Sequence, residues 1–186
     1  MIINRLGKTV LLSTSLAFLW GTAALASELF NAVTATPYDG RLTQVGVFDQ
    51  AALPPSEIPA TETIDTLFAK ARSFRYLPDG RNDQWQSPEE TEARWAGDCE
   101  DKAIWLYDHL RRNGYNDTQL IVGKKAKRDR SLHVWVEYTD SEGTKWLLDP
   151  TANRRAWKMD GFSTHSYQKI YSFDGVHRFY YSYTAS

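Results

Sequence analysis

Cysteine is almost missing from this chain: Cys99 is the only one among 186 residues. That excludes an intramolecular disulfide, and with scattered histidines it excludes a zinc centre, which needs several thiolate or imidazole ligands at fixed spacing. A lone thiol is then a buried small residue, an intermolecular link or a reactive nucleophile. Charge of one sign is not in excess either. Lys and Arg number 22 against 23 Asp and Glu, so no global field draws the chain to nucleic acid or to an acidic membrane surface. The basic run Lys124 to Arg130 reads as a solvated loop between strands, with a substrate-steering patch as the alternative. Long hydrophobic runs are lacking as well. The mostly apolar stretch Val10 to Leu19 is too short for a comfortable membrane span. There is no internal repeat and no low-complexity block.

What is present begins with a processing signal. Arg5 and Lys8 precede the apolar stretch, and small residues lead to Ala24-Leu25-Ala26 before Ser27. This order predicts a signal peptide over residues 1–26, cleaved after Ala26, and hence a periplasmic or secreted protein. An uncleaved segment would be the only contact with a membrane. Residues 27–186 suffice for one domain with one core. Seven Trp and ten Tyr give that core large apolar groups with polar handles. Pro37, Pro54, Pro55 and Pro59 break up residues 27–60, which read as an irregular arm ahead of a domain over 61–186.

Within that domain helices come first. Thr61 is a candidate N-cap for a helix whose Ile64, Leu67, Phe68 and Ala71 recur at helical spacing. Ser87-Pro88-Glu89-Glu90 has the form of a capping box with Pro at N1. A longer helix runs from about Cys99 to Asn113, with Gly114 as its C-terminal stop. Strand patterns follow at Thr118–Val122, Ser131–Tyr138, Lys145–Asp149 and Arg178–Tyr183. Helices followed by antiparallel strands predict an α+β domain.

Chemistry concentrates in three places. Asp98 as N-cap makes Cys99 the first helical residue in Gly97-Asp98-Cys99-Glu100-Asp101. Free N–H groups and the positive dipole end favour a thiolate there and can hold an oxyanion. The neighbouring carboxylates oppose a thiolate, so a cationic partner is required. Of the four histidines, His133 is the one set in an alternating strand, followed by a short loop and a second strand. If Tyr138 faces Thr144, the hairpin sets His133 directly opposite Asp149, with Cβ atoms ~5 Å apart. A base oriented by an acid completes a nucleophile–base–orienter triad.

These residues resemble the transglutaminase-like superfamily: Gly97-Asp98-Cys99 with Ala103, His133-Val134-Trp135-Val136-Glu137, and Trp146-Leu147-Leu148-Asp149-Pro150-Thr151. Asp83-Gln84-Trp85-Gln86-Ser87-Pro88 and the Gly97–Asp101 run are similar to the bacterial transglutaminase-like cysteine proteinases of the LapG type, periplasmic proteases that release large surface adhesins. The resemblance covers about Thr61 to Thr151. The His133 and Asp149 segments are closer to the general transglutaminase core.

The resemblance implies a papain-like core, with the nucleophile helix packed on an antiparallel sheet. It further implies a Cys99-His133-Asp149 cysteine peptidase working through a thioester on a protein or peptide, such as a surface adhesin. Amidase or acyl-transfer activity on cell-wall peptides, or a binding module of the same fold, are the alternatives. Trp85 is implied at the oxyanion site. The chemistry itself needs no cofactor, but the resemblance implies Ca²⁺ held by Asp98 and Glu100, the alternative being that they only cap the helix and complement its dipole.

Overall fold

The computed structural model describes residues 28–48, 62–80, 82–152, 154–159 and 166–183. The segment read as a signal peptide and most of the proline-rich stretch lie outside them. Among the described residues no helix is long and apolar enough to cross a membrane.

The first described residues depart from expectation. In place of an irregular arm, Glu28–Val33 forms strand β1 and Asp39–Gln44 a short helix, α1. The strand has little local signal; it exists because β9 (Arg178–Tyr183), at the far end of the chain, pairs with it antiparallel from Glu28↔Tyr183 to Val33↔Arg178. Fully buried Leu42 and an Asp39–Arg178 ion pair of 2.9 Å fasten α1 to the domain.

Helix α2 spans Ile64–Ser73. Its cap falls on Thr63, whose side chain accepts the Thr66 N–H at 3.2 Å, two residues after the expected Thr61. Helix α3, Pro88–Arg94, starts as its sequence requires. Ser87 Oγ accepts from the Glu90 N–H (3.2 Å) and Glu90 returns the bond to the Ser87 N–H (2.9 Å). Ser87→Ala should therefore lower stability by ~1 kcal/mol in a denaturant melt.

Helix α4, Cys99–Arg112, is the centre of the molecule. Ala103, Ile104, Trp105, Leu106, Tyr107 and Leu110 are all fully buried, more than a one-sided stripe would bury, because α2, α3 and the sheet enclose the helix. Lys102 is also buried, its Nζ donating to the Phe74 carbonyl at 2.9 Å just past the end of α2. A two-residue parallel pair, β2 (Arg75–Tyr76) with β3 (Ala96–Gly97), leads into α4.

The main sheet has seven strands in the order β1-β9-β8-β4-β5-β6-β7. Here β4 is Thr118–Lys124, β5 His133–Thr139, β6 Lys145–Leu148, β7 Trp157–Lys158 and β8 Gln168–Phe173. All its pairings are antiparallel. Leu120, Val122, Val134, Val136, Leu148 and Phe173 join the core around α4. Ile121, Trp135 and Leu147, out of phase by one, form a second cluster with Trp157, Met159 and Tyr167. Both faces of the central strands are thus buried by period-two alternation.

At the β4–β8 bulge, Gly123 is obligatory for lack of space. A Cβ there would lie 2.1 Å from the Gln168 carbonyl oxygen and 2.6 Å from Trp135. Because backbone cannot yield as a flexible side chain does, Gly123→Ala should cost ~1–3 kcal/mol. A thermal melt would show this as a drop of several degrees; an unchanged midpoint would contradict the packing at the bulge.

Candidate active site

The entry to α4 depends on a side chain folding back over a glycine. Asp101 is fully buried and accepts from the Asp98 N–H (3.1 Å), the Gln86 N–H (2.8 Å) and Gln86 Nε2 (2.5 Å). A Cβ on Gly97 would lie 2.5 Å from the Asp101 Cβ, so the Gly at this position makes room for the carboxylate. Asp101 thereby fixes the Trp85-Gln86 segment beside the first turn of the helix. Burial pushes its pKa up to about 6, against the lowering effect of the Gln86 and Asp98 backbone donors.

Cys99 sits at the first helical position, partly buried, with Sγ 3.0 Å from Glu100 Oε2. Its pKa is raised, first by burial and then by Glu100, against a lowering contribution from the Val134 backbone. The depression expected from the helix terminus is therefore overruled by desolvation and nearby carboxylates. Glu100 is itself pushed up to about 9 by burial and by Asp98. Asp98 accepts from the Asp79 N–H at 3.3 Å, and its other oxygen is buried without a hydrogen-bond partner.

Asp79 and Asp83 come from the loop before Trp85. Their carboxylate oxygens and that of Glu100 all lie within 4.8 Å of one another, as do ligand atoms of Asp98, Cys99 and Glu100. These hard oxygen donors, with one buried Asp98 oxygen unsatisfied, have the chemistry that a cation such as Ca²⁺ takes.

His133 opens β5, and its Nε2 lies 2.6 Å from Asp149 Oδ2. The expected pair is present, but the expected register is not. Tyr138 faces Trp146 and Thr139 faces Lys145, a two-residue offset from the assumed Tyr138–Thr144 pairing. The reason lies in the turn. Gly143 adopts φ +79°, its N–H bonds the Asp140 carbonyl, and the Asp140 N–H bonds the Thr144 carbonyl. The loop closes one pair further out than supposed. An offset of two preserves the face, so Asp149 is still on the side of His133, reached diagonally.

Asp149 is fully buried. Its Oδ1 accepts from the Thr151 N–H (2.9 Å), Thr151 Oγ1 (2.7 Å) and the Ala152 N–H (3.0 Å), while Oδ2 also takes the Tyr167 hydroxyl (2.8 Å). Burial raises its pKa, but the bond and charge of His133, with the Thr151 and Tyr167 bonds, bring it down to about 2. A carboxylate depressed in the folded state contributes stability that is present above its ordinary value of 3.8 and lost as pH falls through about 2. The size is on the order of 2 kcal/mol. Urea midpoints measured from pH 2 to 6 should therefore rise less steeply in Asp149→Asn than in the wild type.

With Nε2 committed to Asp149, Nδ1 is the ring nitrogen left for a thiol. The described residues contain no hydrogen bond between Cys99 and His133; the thiol touches Glu100 and the backbone of the residue following His133. A cleft of about 280 Å³ opens over Cys99, walled by Tyr38, Arg41, Trp85, Val122, Leu132 and Val134 among others. Trp85, the expected oxyanion neighbour, stands in this wall and stacks on Tyr38 at 5.7 Å. Arg41 lies 5.6 Å over the Trp85 ring and pairs with Asp83 at 2.6 Å.

Tyr38, Arg41, Thr151 and Tyr167 were not singled out from sequence. Only Thr151, in Asp-Pro-Thr, had a signal: a hydroxyl two residues after a carboxylate can cap it locally. His109 stacks on Trp105 at 3.8 Å and His177 bonds Asp174 in a turn, both away from the thiol, while His165 lies outside the described residues.

A helix that opens at the only cysteine and is buried against an antiparallel sheet, with His133 at the start of β5 and Asp149 just past the end of β6, has the transglutaminase-like fold of the LapG type. Solved structures agree. The chain superposes on Legionella pneumophila LapG in its calcium-bound form with a TM-score of 0.51, at 22% identity over 75% of this chain and 77% of that one. A second LapG structure gives 0.52 at the same identity and coverage. An EGTA-treated form gives 0.51, at 22% identity over 75% of each chain. At this identity the likeness establishes the fold. No family model and no curated protein matches the sequence.

Proposed function

We propose that this chain is an exported cysteine peptidase acting on a protein substrate, with Cys99 as nucleophile, His133 as base and then acid, and Asp149 as orienter. The His133–Asp149 bond of 2.6 Å carries the reading, because the next residue of the same strand, Val134, meets the only thiol of the chain through its backbone. The reading requires the Cys99 side chain to leave Glu100, which it now meets at 3.0 Å, and to turn toward Nδ1. The thiol proton passes to Nδ1 as Sγ bonds the scissile carbonyl carbon. The oxyanion is received by the Cys99 N–H at the start of α4, with Trp85 alongside. Collapse breaks the C–N bond, and the amine leaves with the proton from His133. Water, deprotonated by His133, then hydrolyses the thioester to a carboxylate and restores the thiol. The resemblance to LapG-type proteases supports a surface adhesin as the substrate, and the signal-like sequence of residues 1–26 supports a periplasmic or secreted location. Hydrolysis of an unfolded reporter protein that persists in Cys99→Ser would sink this reading.

We also infer that Ca²⁺ is held by Asp98 and Glu100, joined by Asp79 and Asp83. The bound ion would supply positive charge beside the thiol and so oppose the carboxylates that raise its pKa. Calcium at about 100 times its Kd should stabilise the fold by ~2.7 kcal/mol, or roughly 5–10 °C in Tm. EGTA should reverse the shift and Asp98→Asn should abolish it. A wild-type Tm indifferent to both reagents would remove the site.

A further inference from the structure

The motif His133-Val134-Trp135-Val136-Glu137 has three alternate residues on one face of β5, and only the first enters the chemistry above. The other two are met by the start of β8. Trp135 is fully buried, its ring 6.2 Å from that of His133 and nearly parallel to it (22°). The indole N–H donates to Glu137 Oε1 at 3.2 Å, and Glu137 Oε2 pairs with Lys169 at 2.9 Å.

Two residues before Lys169, the Tyr167 ring lies edge-on to Trp135 at 5.1 Å, and its hydroxyl donates to Asp149 Oδ2 at 2.8 Å. The contacts therefore close into a ring: Asp149, His133, Trp135, Glu137, Lys169, and back along the chain to Tyr167. Every member is at least partly buried.

Asp149 divides its acceptors unequally. The three bonds to Oδ1 come from residues two and three positions away and fold the turn after β6. The two bonds to Oδ2 come from distant residues, His133 and Tyr167, and both converge on the oxygen that orients the imidazole. A second donor on that oxygen does two things. It fixes where the oxygen sits, and it weakens Oδ2 as an acceptor for the imidazole N–H.

We propose that Tyr167 is a positioning residue for the His133–Asp149 pair: it sets the place of Oδ2 through its hydroxyl and the plane of the imidazole through Trp135. The inference rests on the peptidase reading for its purpose but not for its test. Other charged groups bear on the pair, and the test holds them fixed: Lys102 of α4, which acts electrostatically on Asp149, Glu137 and Lys169 across the sheet, and Cys99 and Glu100 at the helix start.

The readout is the low-field ¹H resonance of the proton between His133 Nε2 and Asp149 Oδ2, assigned by its loss in His133→Ala. Tyr167→Phe keeps the ring against Trp135 and removes only the hydroxyl, so with one donor fewer on Oδ2 the resonance should move downfield while the fold is retained. Tyr167→Ala removes the ring as well, and the resonance should broaden or disappear. A folded Tyr167→Phe protein with an unmoved resonance overturns the proposal, as does a Tyr167→Ala protein whose resonance stays sharp. Where a hydrolysable substrate is in hand, Tyr167→Phe should lower kcat with KM unchanged, the pattern of a group that acts on the transition state. A shifted resonance in a protein that hydrolyses nothing would leave the positioning role intact and remove the peptidase reading. An unmoved resonance in an active enzyme would do the reverse.

Discussion

Alanine at position 133 is expected to lower kcat by on the order of 10⁴- to 10⁶-fold, with KM changed little. The reason is specific to this site. Burial and Glu100 hold the Cys99 thiol in its protonated form, so attack on a carbonyl must remove the proton as the bond forms. Among the described residues His133 is the histidine on the strand that touches the thiol; His109 and His177 are engaged elsewhere. Loss of the imidazole also frees a buried Asp149 oxygen from its shortest partner, 2.6 Å away, so a drop in Tm should accompany the loss of rate. Single-turnover hydrolysis and a thermal melt on the same preparation separate the two effects.

The second large effect is expected from Asp149→Asn, on the order of 10³- to 10⁴-fold in kcat. An amide has one acceptor oxygen, whereas both Asp149 oxygens here face donors only. If the amide NH₂ points at His133, the ring nitrogen must turn from donor to acceptor and its proton moves to Nδ1, which can then no longer take one from the thiol. If the amide is reversed, the NH₂ group meets the N–H groups of Thr151 and Ala152 at about the 2.9 and 3.0 Å that now separate them from Oδ1. The first arrangement removes the base, and the second leaves buried donors facing one another at a cost of ~1–3 kcal/mol. Wild-type kcat in this variant would show that orientation of the imidazole is set by something other than Asp149.

Local chemistry was readable in the sequence, and long-range pairing was not. The Ser87–Glu90 capping box, α4 from Cys99 and the His133–Asp149 pair follow from rules that act over a few residues. The hairpin register failed at Asp140–Thr144, because five loop-like residues can close either one pair earlier or around a positive-φ glycine. The error spared the site since the side-chain period in a strand is two. Strand β1 depends on β9, almost the whole chain away, and no local pattern announces it. Tyr167 and Arg41 escaped for the same reason: each has its role through a partner on another strand or loop. The thiol was misjudged for a different cause. The helix terminus and the opposing carboxylates of Asp98 and Glu100 can be read from sequence, but the burial that desolvates Cys99 is a tertiary fact.

The central claim is that His133 activates Cys99. The most direct measurement is the rate of Cys99 alkylation by iodoacetamide between pH 5 and 9 in calcium-containing buffer, compared between wild type and His133→Ala. The account predicts that labelling slows at least tenfold near neutral pH when the imidazole is removed. Equal rates in two folded proteins would contradict it, and would leave Cys99 as a packed residue in a binding module of the same fold.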